Sequence, residues 1–171
     1  MELLELKNAI LEIFDTDIDH LGAALMDAVQ DNRTELFDQF CELVNGDLTE
    51  DYLQKIFQYY HADREVKKQD YTPKSIAEFM SLLIGESDVV IDMCAGSGAL
   101  AIQRWNADRN QKLQLIELDE RVIPFLLFNL VIRNIDSRVY RMDALSSETY
   151  EQWRIERGEK YGSITYFEPA V

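Results

Sequence analysis

The stretch VVIDMCAGSGAL, residues 89–100, runs from a β-branched apolar segment, Val89-Val90-Ile91, through an acid, Asp92, to the closely spaced glycines Gly96 and Gly98. An apolar run that stops at a glycine turn and resumes as a helical pattern through Leu100 and Trp105 predicts a strand–loop–helix unit. Further along, LQLIEL (113–118) precedes a helical pattern from Val122 to Ile132. RVYRM (138–142) precedes one through Tyr150 and Trp153, and SITYF (163–167) follows. Strands alternating with helices of about ten residues predict parallel pairing with right-handed crossovers. The expected fold class is therefore α/β, with an incomplete parallel sheet of Rossmann-like type.

Upstream of this unit, YTPKSIAEFMSLLIG (71–85) is a punctuated helix. Thr72 suits a cap, Pro73 the first helical position and Gly85 the end, and Ile76, Phe79, Met80 and Leu83 form an apolar stripe. The first 62 residues read as four short amphipathic helices with stripes Leu3/Leu6/Ile10/Ile13, Ile18/Leu21/Leu25/Val29, Leu36/Phe37/Phe40/Val44 and Leu53/Ile56/Phe57/Tyr60. Asn45-Gly46 suits the end of the third, and Asp47-x-x-Glu50 resembles a capping box for the fourth. The polar run HADREVKKQD (61–70) separates the two patterns, so the expected organisation is an acidic helical module over 1–65 and an α/β domain over 66–171.

The chain carries a formal charge of −15, and its distribution is uneven. Residues 1–65 hold 16 acids and 4 Lys/Arg, net −12, against 16 and 13 in the remainder, net −3. A set of well-solvated helices accounts for this, and the alternative is an acidic surface for a basic partner or one that mimics DNA. The module is not expected to bind DNA by itself, because phosphate binding depends on clustered Lys/Arg. Cys41 and Cys94 stand far apart, as do His20 and His61, so neither a disulfide framework nor a metal site is expected. Without an 18-residue uncharged run or a basic leader, a cytoplasmic protein with no membrane association is expected.

Ligands of open parallel sheets bind at the carboxyl ends of the strands, where DMCAGSG lies. Gly96 and Gly98 permit close backbone approach, and a helix starting near Ala99 aims free N–H groups into the same space. A P-loop would need Gly-Lys-Ser/Thr, and a third dinucleotide-type glycine is missing, since Ala99-Leu100-Ala101 follow Gly98. Asp92 would repel a phosphate yet attract an ammonium group. The second strand ends in Ile116-Glu117-Leu118-Asp119, where Glu117 can accept both hydroxyls of a ribose; Asp119 reads as a helix cap. The third ends in Met142-Asp143-Ala144-Leu145, where Asp143 suits an adenine amino group and Leu145 its ring. Amine, carboxylate, ribose and adenine together describe S-adenosylmethionine.

With these segments in view, the sequence resembles a known family. YTPKSIAEFM, VIDMCAGSGAL, LIELDERVIPFLLFNLVIRNI and RMDAL are similar, in order and spacing, to the cofactor-binding segments of adenine-N6 DNA methylases of the type I restriction-modification kind. The resemblance covers roughly residues 69–145. It implies an S-adenosylmethionine-dependent methyltransferase core. Tyr71, Thr72 and Pro73 would line the methionine end, and Asp92 with the backbone of Cys94, Ala95, Gly96, Ser97 and Gly98 would hold the amino acid portion. Glu117 and Leu118 would take the ribose, and Asp143, Ala144 and Leu145 the adenine. Cys94 is expected to pack rather than act as a nucleophile.

In such methylases the fourth strand leads into Asn/Asp-Pro-Pro-aromatic, which holds and stacks on the flipped adenine. Here the corresponding run is YGSITYFEPAV, in which Phe167, Glu168, Pro169 and Ala170 supply neither the amide nor the stacking ring in either register. Two functions follow as expectations. One is methyl transfer to DNA adenine when a partner chain, such as a methylase or restriction subunit, completes the sheet and contacts the DNA. The other is a catalytically inactive, S-adenosylmethionine-binding regulatory or anti-restriction protein with an acidic, DNA-mimic-like surface. SITYF as an exposed last strand also predicts association, with a partner subunit or as a homo-oligomer.

Overall fold

The computed structural model describes residues 2–60 and 72–168. The domain boundary expected near residue 65, together with His61 and Tyr71, lies outside the described residues, as do Pro169 and Ala170.

Four helices open the chain: α1 (Leu3–Ile13), α2 (Leu21–Gln30), α3 (Thr34–Leu43) and α4 (Tyr52–Tyr60). Their inward faces are the ones the helical spacing selects, with Leu6 and Ile10, Leu21, Leu25 and Val29, Phe37 and Phe40, and Leu53, Ile56 and Phe57 all buried. The start of α4 corrects the expected capping box. Asp47 is an Asx turn that accepts the Thr49 N–H and hydroxyl at 2.9 and 2.6 Å, and the acid that caps α4 is Asp51, whose Oδ1 accepts the Gln54 N–H at 2.9 Å. Glu50 points elsewhere, to Lys74 and Lys55.

The helix after the gap, α5 (Lys74–Ile84), packs on α6 (Ala99–Ala107) through its small residues, Ala77 and Ser81. The apolar stripe read from the sequence faces outward: Ile76, Phe79, Met80 and Leu83 are all exposed.

The sheet has five strands, β1 (Val89–Asp92), β2 (Lys112–Glu117), β3 (Ser137–Asp143), β4 (Glu148–Glu156) and β5 (Ser163–Phe167), in spatial order β1-β2-β3-β4-β5. The first three are parallel, as the crossovers through α6 and α7 (Ile123–Ile132) require. Beyond β3 the sequence reading fails. Residues 148–156 form an antiparallel hairpin with β3, and β5 continues antiparallel, so the all-parallel sheet and the helix through Tyr150 and Trp153 are both corrected. The spacing of Tyr150 and Trp153 suggested a helix, but the buried residues are Trp153 and Ile155, two apart, which is the period of a strand. Residues 144–147, closed by Ser147 at φ +63°, are too short a link for a parallel crossover.

The sheet and the helical module share one hydrophobic core. Between them lies α7, whose ten residues are all buried, because one side faces Leu113, Leu115 and Val139 of the sheet and the other meets the module. Phe128 of α7 receives the ring edges of Phe14, Phe37 and Phe40 at centroid distances of 5.5, 5.7 and 5.1 Å. Tyr161, just before β5, anchors the hairpin to the same module: its ring lies 5.2 Å from Phe37 and its hydroxyl donates to Asp38. No helix among the described residues is long and apolar enough to cross a membrane.

Candidate functional site

The carboxyl ends of β1, β2 and β3 lie side by side, so Asp92, Glu117 and Asp143 are set along one rim of the sheet in strand order. The glycine loop closes over this rim. Gly98 sits at φ +101° as the residue before α6, and a Cβ there would meet Leu126 Cδ1 at 3.0 Å, so the loop can lie flat on α7 only as glycine. Gly96, at φ +55°, turns the chain so that its N–H donates to Glu117 Oε2 at 2.8 Å.

Asp92 is the least satisfied acid of the rim. Its Oδ1 accepts the Cys94 N–H at 3.1 Å, whereas Oδ2 is buried and has no partner among the described residues. Burial pushes its carboxyl above the usual range, opposed only by that one N–H. Such a carboxylate has an open requirement for a donor or a cation. Glu117 differs: Oε1 accepts the Leu118 and Asp119 N–H groups, each at 2.8 Å, and with Gly96 its carboxylate ties the glycine loop to the end of β2. Asp143 accepts the Leu145 and Ser146 N–H groups at 2.8 and 3.4 Å through Oδ1, and the Leu145 contact leads in holding its carboxyl below the usual range. Leu145 is 98% exposed, standing free over the rim.

A sequence model described as N-6 DNA Methylase matches residues 44–162, which include all three rim acids and the glycine loop. The chain belongs to the N-6 DNA methylase family. No curated protein and no solved structure matches it.

Within this methylase chain the remaining expected site residues divide. Leu118 is exposed beside Glu117, and Ala144 is half-buried beside Asp143. Thr72 and Pro73 lead into α5, the Thr72 carbonyl accepting Gln54 Nε2 at 3.3 Å. Cys94 is exposed rather than packed, and desolvation together with the charges of Glu117 and Asp92 raises its thiol above the ordinary value. Ser97 is a partial exception to the expected loop: it is buried and its hydroxyl turns away from the rim toward Asp51. Asp119 does not cap α7, whose N-cap is Val122 and carries no side-chain cap bond; its Oδ1 instead accepts the Arg121 N–H at 3.1 Å in an Asx turn and its Oδ2 pairs with the Arg121 guanidinium at 2.9 Å. Phe167 and Glu168 are not brought to the rim strands, because β5 lies at the opposite edge of the sheet from β1. Among the described residues no group of three or more His, Cys, Asp or Glu is placed to hold a metal.

Beneath the loop lies a buried polar network absent from the sequence reading. Asp51 Oδ2 accepts the Ser97 hydroxyl at 2.7 Å, and its Oδ1 accepts Asn129 Nδ2 at 2.9 Å. Asn129 in turn receives Arg133 Nη1 on Oδ1 at 2.8 Å, and Arg133 donates onward to the carbonyls of Leu48 and Glu50 at 2.8 and 2.7 Å. Burial lowers the Arg133 guanidinium to about 10, which still leaves it charged at neutral pH, and raises the Asp51 carboxyl. The signal was present in FLLFNLVIRN (125–134), an apolar run interrupted by an amide and a guanidinium one helical turn apart.

Proposed function

We propose that this chain binds S-adenosylmethionine at the rim of β1, β2 and β3 and serves as the cofactor-binding part of a DNA adenine-N6 methyltransferase. The observation that carries the proposal is the buried Oδ2 of Asp92, without a partner among the described residues, at the mouth of a glycine loop that ends on a helix N-terminus. An ammonium group meets the need of that oxygen, and the N-terminal N–H groups of α6 suit the carboxylate of the same ligand. Glu117 offers its carboxylate to the ribose hydroxyls at the rearrangement of a single Gly96 contact, and the Asp143 carboxylate, held at the end of β3 beside the exposed Leu145, suits an adenine amino group. S-adenosylmethionine supplies an electrophilic methyl group when bound. The chain's own residues hold and orient it, which is the entropic share of a transfer reaction.

The group that holds the target adenine is, in this reading, brought by further polypeptide along β1. The outer edge of β1 has no strand beside it among the described residues, Val89 and Ile91 are exposed there, and the outward stripe of α5 adds Phe79, Met80 and Leu83. An open strand edge favours pairing with another strand, and an exposed apolar helix face favours a protein partner. DNA contact would come through that polypeptide, since the helical module is strongly acidic.

The second reading is a catalytically inactive regulatory protein that keeps cofactor binding. It is favoured by Phe167 and Glu168 lying at the far edge of the sheet and by the net −12 of residues 1–65. Calorimetric titration with S-adenosylmethionine and its demethylated product tests the shared claim, which fails if neither binds at millimolar concentration. Transfer of labelled methyl to adenine in DNA, with and without a co-expressed methylase subunit, separates the two readings: transfer in either arm favours the enzyme, and none in both favours the regulator.

A further inference from the structure

We infer that the turn between α3 and α4 holds the cofactor loop in shape, with Asp51 as a positioning residue that acts through Ser97. The inference rests on the S-adenosylmethionine reading of the loop and adds to it a control point in the helical module. Residues 48–51 touch each element around the loop. The Thr49 carbonyl accepts Gln103 Nε2 and Asn106 Nδ2 of α6 at 2.9 and 3.0 Å. The Leu48 and Glu50 carbonyls accept Arg133 of α7, and the Glu50 carboxylate pairs with Lys74 of α5 at 3.1 Å. The only side chain of this turn that reaches the glycine loop itself is Asp51, through the Ser97 hydroxyl.

The bonding pattern has one consistent polarity. Arg133 donates to Asn129 Oδ1, which commits the Asn129 amide nitrogen to donate; it does so to both Asp51 Oδ1 and the Ser97 carbonyl, each at 2.9 Å. Ser97 is thereby gripped from two sides, its hydroxyl by Asp51 and its carbonyl by Asn129. Buried networks of this kind, with each donor matched to an acceptor, fix a single backbone geometry. The residue so fixed lies between Gly96 and Gly98, the two positions whose left-handed conformations aim the loop's N–H groups. Left without its clamp, a loop with two glycines has many conformations open to it, and a ligand then has to select the competent one. The clamp reaches the site from below, so Asp51 acts on the ligand only through loop order, while its bond to the Gln54 N–H separately caps α4.

The test compares Ser97→Ala and Asp51→Ala with wild type and with Leu25→Ala, a core variant of the same module that leaves the network intact. Amide hydrogen exchange on the ligand-free chain is the first measurement. Loss of a hydrogen bond to a buried carboxylate is expected to speed exchange at Ala95, Gly96 and Gly98 about tenfold or more in the two network variants, and not in Leu25→Ala. Calorimetry with S-adenosylmethionine, at a temperature where each variant is folded, is the second: the network variants are expected to bind about tenfold more weakly and Leu25→Ala as wild type. Unchanged loop exchange in Ser97→Ala overturns the inference, as does equal weakening in Leu25→Ala, which would reduce the network to general stability. Absence of binding by wild type refutes the proposed function instead, and the exchange measurement then still decides whether Asp51 orders the loop.

Discussion

Replacement of Phe128 by alanine tests whether the helical module and the sheet are one cooperative structure. The ring is fully buried and receives three aromatic edges, from Phe14 of the module and from Phe37 and Phe40 of α3, while its own helix rests on the sheet. Removing such a ring costs about 3–5 kcal/mol in transfer and cavity terms, a figure that already includes much of the edge contacts. With a urea dependence of about 2 kcal/mol per molar, the midpoint should fall by roughly 1.5–2.5 M. Far-ultraviolet dichroism follows all the helices, those of the module included, whereas fluorescence follows Trp105 and Trp153, which belong to the α6 and β4 side. Both probes should move together by the same amount in wild type and variant. Separate transitions, or a loss below about 1 kcal/mol, would refute the claim that α7 joins the two halves into one core.

Gly98→Ala should lower the melting temperature by about 3–10 °C, because the added Cβ is strained at φ +101° and lies 3.0 Å from Leu126; differential scanning calorimetry reads it. Arg133→Met should destabilise by about 3–5 kcal/mol in chemical denaturation, since it leaves Asp51 without its nearby positive charge and the Leu48 and Glu50 carbonyls without their donor. Asp92→Asn should do the reverse for stability while harming binding. Burial raises the Asp92 carboxyl, so its protonated form is the one the fold prefers: the stability it contributes is present below the unfolded value of about 3.9 and is lost as pH rises through the folded value. At pH 7 the asparagine variant should therefore melt higher than wild type, with the difference vanishing near pH 3, whereas S-adenosylmethionine affinity falls.

Much of the fold was legible because local chemistry and tertiary environment agree. The module's stripes, the glycine turn, α7 and the first three strands follow from periodicity, and the rim acids from their places at strand ends. The misreadings have physical causes. Tyr150 and Trp153 fit a helical interval, but only a four-residue link separates their strand from β3, and hairpin geometry overrides the interval. The stripe of α5 looked like a core face, yet the helix packs through Ala77 and Ser81, whose small size allows close approach to α6. Asp51 went unrecognised because its partners are 46 and 78 residues away, and a lone acid before a helix looks like an ordinary cap, which it also is. SITYF was legible as an exposed last strand, and β5 is an edge of the sheet; that this edge lies away from the rim strand β1 was not, since strand order depends on long-range pairing.

The central claim is that the Asp92 and Glu117 rim recognises the amine and ribose of S-adenosylmethionine. Its most direct test is the dissociation constant of wild type, Asp92→Ala and Glu117→Ala measured by calorimetry in the same buffer. Loss of a charged partner in a largely buried site predicts at least tenfold weaker binding for each variant. Affinities equal to wild type in both variants would contradict the account.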